Sequence, residues 1–262
     1  MGGCPLVPIN GHDGRIRNTG RRGCRRTRRG LGLFLVRGQG HGRTPAVGVR
    51  RVDGDRMGTV ASALDIETGG GEVLAAVARA PRLLVATESW SPNVAIARRN
   101  LAPIGAHVVA VADVPTLPFA DGAFELVVSR HPVVTLWDEI ARVLRRGGTY
   151  LSQQIGAGSN RELTDFMMGP QPVNQSRSPE SLQVAARDAD LDVVVLKSCS
   201  LRVTFSDVAA VVHFLRKVRW TVPDFSVQRY DRRLRAMHEH IQREGAFEST
   251  AQRILIQAHK AG

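Results

Sequence analysis

The sequence predicts an α/β fold built on a mostly parallel sheet. Two observations predict it. From about residue 60 onward, short apolar runs alternate with helical patterns, and strands that alternate with helices join into a parallel sheet through right-handed crossovers. The first such run, Ala63-Leu64-Asp65-Ile66, passes at once into Glu67-Thr68-Gly69-Gly70-Gly71. A strand, a glycine turn and a helix start are how nucleotide-binding α/β folds build a ligand cradle, because glycine lets backbone approach a ligand closely or take positive φ.

The elements follow in order. Val60–Ile66 reads as the first strand and Gly71–Ala80 as a helix with Val73, Leu74 and Val77 on one face. Arg82–Thr87 is the second strand and ends at Glu88. Pro92 opens a helix that runs to about Leu101, since proline suits a first turn. Ala106–Ala112 is the third strand and ends at Asp113. The stretch Leu117–Val128 is a loop running into the fourth strand, with Ser129-Arg130-His131 at its carboxyl end. Trp137–Leu144 is a short helix stopped by Arg145-Arg146-Gly147-Gly148, and Thr149–Gln154 is the fifth strand. Further on come helices over Arg161–Met168, from Ser178-Pro179 to Ala189, from Ser206-Asp207 to Val218, and over Asp231–Glu244. Leu191–Lys197 and Arg253–Ala258 supply the last two strands.

Charge divides the chain in two. Of the 36 basic and 24 acidic residues, residues 1–56 hold 13 arginines and three acids, so the remainder has 23 basic and 21 acidic residues and is nearly neutral. Residues 1–56 also hold 13 of the 26 glycines. Such a composition buries too little apolar surface to offset chain entropy, so the segment is expected to be disordered, with residues 57–262 as the domain. An arginine-rich arm of this kind fits RNA or DNA; an unstructured tail without a selected role and translation that begins at Met57 are the other readings. No apolar run approaches the roughly 20 residues of a membrane span. Cys4, Cys24 and Cys199 are scattered and odd in number, which argues against a disulfide framework or a zinc site and fits a reducing cytoplasm.

At Asp65-Ile66-Glu67-Thr68-Gly69-Gly70-Gly71 the chain resembles the class I S-adenosylmethionine-dependent methyltransferases, whose first motif reads roughly hydrophobic-hydrophobic-Asp-hydrophobic-Gly-x-Gly-x-Gly. Asp65, Gly69 and Gly71 match it, and Glu67 stands where the first glycine belongs. The stretch Leu117-Pro118-Phe119-Ala120-Asp121-Gly122-Ala123-Phe124-Glu125-Leu126-Val127-Val128 and the stretch Val143-Leu144-Arg145-Arg146-Gly147-Gly148 resemble later motifs of the family, in the expected order. A dinucleotide dehydrogenase would show Gly-x-Gly-x-x-Gly, which is absent. The resemblance implies a Rossmann-like methyltransferase fold: a mostly parallel seven-stranded sheet, helices on both faces and a last antiparallel strand.

It also implies S-adenosyl-L-methionine as the cofactor. Glu88 would accept the ribose hydroxyls, Asp113 would meet the adenine amino group, and Asp65, Gly69 and Gly71 would shape the cradle. Glu67 would crowd the cofactor's amino-acid end or pair with its ammonium group. His131, just after the fourth strand, is the candidate catalytic base. Arg130 beside it would hold an acidic substrate or be solvated. No metal is expected. The acceptor is expected to be a small molecule, since the folded part is nearly neutral. An RNA methyltransferase that uses the arm, a non-catalytic cofactor-binding protein and a damaged remnant stay open as alternatives.

Overall fold

A computed structural model describes residues 56–112 and 116–262. Seven strands form one sheet: β1 (Ser62–Ile66), β2 (Leu83–Glu88), β3 (His107–Ala110), β4 (Phe124–Arg130), β5 (Leu144–Ile155), β6 (Leu191–Phe205) and β7 (Phe247–Lys260), in the order β3-β2-β1-β4-β5-β7-β6. β1 to β5 pair in parallel, while β7 runs antiparallel to both β5 and β6. The order reverses at β1 and β4, so a crevice opens off their carboxyl ends. This is the mostly parallel sheet with one antiparallel strand that the sequence implies.

Six α-helices accompany the sheet among the described residues: α1 (Ser91–Leu101), α2 (Trp137–Val143), α3 (Arg161–Met168), α4 (Pro179–Asp188), α5 (Val208–Lys217) and α6 (Asp231–Glu244). Their starts obey local chemistry. The Ser178 hydroxyl accepts from the Ser181 amide to cap α4, and the Asp207 carboxylate accepts from the Ala210 amide to cap α5. α1 has proline in its first turn, as expected. One face of the sheet buries Leu64, Val127, Tyr150 and Ile254 against α2 and α4. The other buries Ala63, Leu84, Ala86, Leu126 and Leu151 with Ala97 and Leu101 of α1. Each fully buried leucine contributes roughly 1.5–3 kcal/mol.

The motif at Leu117–Val128 has a structural reason of its own. Arg142 on α2 donates to Asp121, to Glu139 and to the carbonyls of Leu117 and Phe119. Glu139 in turn accepts from the Leu117 amide at 2.6 Å. These bonds staple the loop before β4 onto the helix after it.

β5 starts at Leu144, five residues before the expected Thr149, and three further elements depart more widely from expectation. Gly71–Ala80 is not a helix: only a 3-10 turn forms, over Leu74–Ala76, and Val77 is already extended. The segment follows three glycines, lacks a side-chain cap and ends at Pro81, which disfavours helical backbone at Ala80. β6 continues eight residues past Lys197, and β7 begins at Phe247 rather than Arg253. Along Ser198–Phe205 polar and apolar residues alternate, with Cys199, Leu201, Val203 and Phe205 on the less exposed side, so the period-2 signal continues through this stretch and the expected end at Lys197 falls short of it.

These extensions build a lobe. β5 ends at Ile155 opposite Arg253, so Phe247–Gln252 of β7 and Ser200–Phe205 of β6 project as a two-stranded ribbon past the carboxyl edge of the parallel strands. Such a ribbon is marginal alone. Here α3, α5 and α6 cover it, burying Leu163, Met167, Phe205, Val211, Leu215, Met237, Ile241 and Phe247 together. Phe225 and Tyr230 stack at 5.7 Å against this core, whereas Trp220 stays exposed. Met57, the expected start of the domain, is buried under α1, and Arg56 donates to Gln257 on β7. Residues 1–55, the bulk of the expected disordered segment, lie outside the described residues, as does Asp113. No described helix is long and apolar enough to cross a membrane.

Candidate functional site

The glycine turn leaves β1 at the carboxyl edge, and its backbone alternates through the left-handed region: Glu67 has φ 56°, Gly69 66° and Gly71 77°. The turn is tied to β2 and α1. The Glu67 amide donates to the Thr87 hydroxyl at 3.2 Å, the Thr68 amide donates to the Thr87 carbonyl at 2.9 Å, and Asn100 donates to the Gly70 carbonyl at 2.8 Å. The two outer glycines are needed for different reasons. A side chain at Gly71 would meet Leu101 at 2.8 Å, so this glycine lets α1 pack. A side chain at Gly69 would project into open space, which leaves room for a ligand. Glu67 takes the positive φ that a glycine would adopt freely, at roughly 1–2 kcal/mol. Its side chain is exposed and accepts from the Ser89 hydroxyl at 3.0 Å.

Two carboxyls flank the turn. Glu88 closes β2 and is buried, accepting from the Trp90 amide at 2.8 Å and from Asn93 at 3.4 Å. Burial pushes its pKa up, partly offset by the Trp90 bond. Asp65, near the end of β1, is raised to about 7. Burial is the main cause, opposed by the Thr68 hydroxyl and by Arg130, and reinforced by the charges of Glu67 and Glu88. That Thr68 hydroxyl is itself buried and makes no well-formed hydrogen bond.

Strand pairing sorts the site residues by face. Partners in register point the same way and alternate residues share a face. Asp65 pairs with Ala86, two residues before Glu88, and with Val128, two residues before Arg130. Arg130 pairs with Gln153, which pairs with Leu255, two residues after Arg253. Glu88, Asp65, Arg130, Gln153 and Arg253 thus line one face of the sheet near its carboxyl edge, acids on β2 and β1, cations on β4 and β7. Gln154 falls on the opposite face, as the alternation of neighbours requires, in a buried network with Thr135, Tyr150 and, through Tyr150, Ser129 and Ser152.

His131 follows directly on β4. Its amide donates to the Gln153 carbonyl at 2.7 Å, and its Nε2 lies 3.0 Å from Gln153 Oε1. Its φ of 54° is a strained value for a non-glycine residue. Burial, with Arg130 and Arg253 nearby, lowers its pKa to about 3, so the ring is neutral at ordinary pH. The sequence pointed to His131 and Arg130, but not to Arg253. Only the antiparallel register of β7 carries Arg253 to this edge, and no local pattern signals that.

The site fits the implied cofactor. Open space at Gly69, an orphaned Thr68 hydroxyl and the two carboxyls suit a ligand that carries hydroxyls and positive charge. Among the described residues no cluster of His, Cys, Asp or Glu could hold a metal ion.

Comparison with known proteins agrees. The family described as "Methyltransferase domain" matches residues 64–152. No curated protein sequence matches the chain. A provisionally assigned methyltransferase from Bacillus halodurans C-125 superposes with a TM-score of 0.60 at 17% identity, covering 84% of this chain and 100% of its own. The YcgJ protein of Bacillus subtilis gives 0.56 at 16% identity, with 82% and 99% covered. The [4+2]-cyclase SpnF gives 0.50 at 18%, with 81% of each chain covered. Residues 64–152 therefore match a methyltransferase domain, and the chain has the fold of the class I S-adenosylmethionine-dependent methyltransferases.

Proposed function

We propose that the protein transfers a methyl group to a small-molecule acceptor. The observation that carries this reading is the sorted face of the sheet: acids beside the glycine turn, cations and His131 on the strands next to it. The cofactor, when bound, supplies an electrophilic methyl group on a cationic sulfur. Glu88 accepts hydrogen bonds from ribose hydroxyls, and Asp65 with the Thr68 hydroxyl faces the cofactor's amino-acid end. Gly69 leaves the space that a Cβ would fill. Asp113, following β3, meets the adenine.

His131 is placed to touch the acceptor. With a pKa near 3 it is a weak base, so its contribution is to hold the acceptor by hydrogen bonding and to receive a proton only as the acceptor loses it. Positioning supplies much of the rate in such a displacement. Glu67 impairs this machinery in our reading, because it adds strain and a third negative charge to the turn. A small acceptor is favoured over RNA by the nearly neutral charge of residues 57–262. Residues 57–262 form the domain, and a chain that begins at Met57 is expected to keep the parent's cofactor affinity; loss of salt-sensitive RNA binding alone on that truncation would give the arginine-rich arm a nucleic-acid role.

Calorimetric titration with S-adenosylmethionine tests the function. Saturable binding is expected, and methyl transfer to an acceptor then defines the activity. A folded sample that gives no heat at millimolar cofactor overturns the enzyme reading and leaves a non-catalytic protein on this fold.

A further inference from the structure

Arg253 is built into the sheet in a way that surface arginines are not. It lies on β7 between Ile155 of β5 and Cys199 of β6, at the point where the sheet gives way to the ribbon of the lobe. Its Nη1 donates to the Ser159 hydroxyl at 3.4 Å and to the Gln252 carbonyl at 2.9 Å, both neutral acceptors. A guanidinium carries five N–H donors in a rigid fork. Among the described residues the Nε and Nη2 side has no hydrogen-bond partner, and no carboxylate lies within salt-bridge distance of it. Cys199, in register with it on β6, favours its charge, but a half-buried guanidinium without a carboxylate partner is costly.

The neighbourhood adds positive charge. Arg130 lies on the same face of the sheet, two strands away, and reaches Gln153 with its Nε at 3.5 Å. Burial and Arg130 both lower the Arg253 pKa, so the two guanidiniums feel each other. His131 is depressed by the same pair. Two guanidiniums and the neutral His131 ring therefore converge at the edge where the β4 and β5 strands end and the lobe begins.

We propose that Arg253 and Arg130 bind an anionic group, a carboxylate or a phosphate, on the methyl acceptor. The planar fork of arginine matches either anion with paired hydrogen bonds. The proposal rests on the methyltransferase reading and names the class of its acceptor. The mouth of this site is apolar. Val133 and Val134 are exposed at 63% and 69%, directly after His131-Pro132. Arg177 donates to the Val133 carbonyl, and the Ala157 amide donates to the Arg177 carbonyl. Ser159, two residues on, holds Arg253. The valine segment and the cationic floor thus belong to one rim, which suits a compact acid with an apolar body better than a polynucleotide.

The test titrates the full chain with inorganic phosphate and with benzoate in a low-chloride buffer, and separately with S-adenosylmethionine. The parent is expected to bind either anion at millimolar concentration. Arg253→Gln should weaken both by at least about tenfold, and Arg253→Lys by about threefold or less, with cofactor affinity unchanged. If Arg253→Gln is unfolded at the titration temperature, Arg130→Gln must give the loss of anion binding. Equal anion binding in parent and variants, or none in the parent, overturns the proposal whatever the cofactor does. Arginine-dependent anion binding without cofactor binding upholds the anion site and overturns only the methyltransferase reading. Displacement of phosphate by bulk tRNA with a steep salt dependence makes the ligand a polyanion and overturns the small acceptor.

Discussion

The two sides of the sheet's carboxyl edge are built in opposite ways. On the β1–β2 side the backbone is tight and the connection is short: a glycine turn with three left-handed residues among five, then a crossover reduced to a single 3-10 turn. Its charges are acids, crowded enough to raise one another. On the β4–β5–β7 side the backbone is long and regular. Two strands of 15 and 14 residues overshoot the sheet and carry a lobe with its own core, and the charges that reach the edge are cations. The difference teaches that the backbone proposed to hold the ligand and the side chains proposed to select the chemistry come from different kinds of sequence. The turn must be local, since its function is φ angles and missing side chains. The cations need only a register, which residues more than a hundred positions apart in the chain can supply.

That difference also sets what the sequence made legible. The place of Asp65, Gly69 and Gly71 at the carboxyl edge was readable because a strand followed by glycines marks a tight turn there. The place of Glu88 at the end of β2 was readable because it ends an apolar run. Helices α3 and α6 match their expected bounds, their caps and periodicity being local. The first crossover was misread because three valine and leucine positions at helical spacing outweighed the glycines before them and Pro81 after them. The lobe was hidden because Phe205 and Phe247 meet only after an intervening pair of helices folds back. Arg253 was invisible for the same reason.

Five substitutions sharpen the contrast, and the largest effect belongs to the tight side. Gly71→Ala places a methyl group against Leu101 at 2.8 Å and a side chain at φ 77°. We expect a stability loss of about 2–4 kcal/mol by urea unfolding. A variant as stable as the parent would show that α1 does not pack closely on the turn.

Glu88→Ala should weaken S-adenosylmethionine binding by about 1–3 kcal/mol, since ribose hydroxyls lose a charged acceptor. The Trp90 amide loses its partner too, so melting without cofactor is measured alongside. Unchanged affinity removes Glu88 from the site.

The pH response separates the sides by sign. Asp65 has its folded pKa raised to about 7 from 3.8, so its contribution to stability is present below pH 4 and is lost as pH rises through 7. His131 has its folded pKa lowered to about 3 from 6.5, so its contribution is present above pH 6.5 and is lost as pH falls through 3. Asp65→Asn should therefore raise the melting temperature at pH 8 and leave it unchanged at pH 4. His131→Gln should flatten the decline of stability below pH 6. An Asp65→Asn gain that is the same at both pH values would mean that the carboxyl is ionised in the fold throughout.

Glu67 gives the smallest expected change and the closest test of what the tight side is for. Its backbone sits at φ 56°, where a non-glycine residue costs roughly 1–2 kcal/mol. Glycine would relieve that strain but add freedom to the unfolded chain, returning about 0.5–1 kcal/mol of it. The net stability gain is thus about 1 kcal/mol or less. Cofactor affinity is the more telling measurement. The Glu67 charge raises the pKa of both Asp65 and Glu88, so its removal makes both carboxylates easier to ionise and better acceptors. The side chain bonds outward to Ser89, a contact that holds nothing else in the turn. Glu67→Gly should then tighten S-adenosylmethionine binding by about tenfold, the equivalent of about 1.4 kcal/mol. If Glu67 instead pairs with the cofactor ammonium, the variant binds more weakly, and the deficit is larger at low salt because screening is less. Titrating parent and variant at two salt concentrations separates the two outcomes, and weaker binding by the glycine variant would make Glu67 a ligand of the cofactor rather than a strained substitute for glycine.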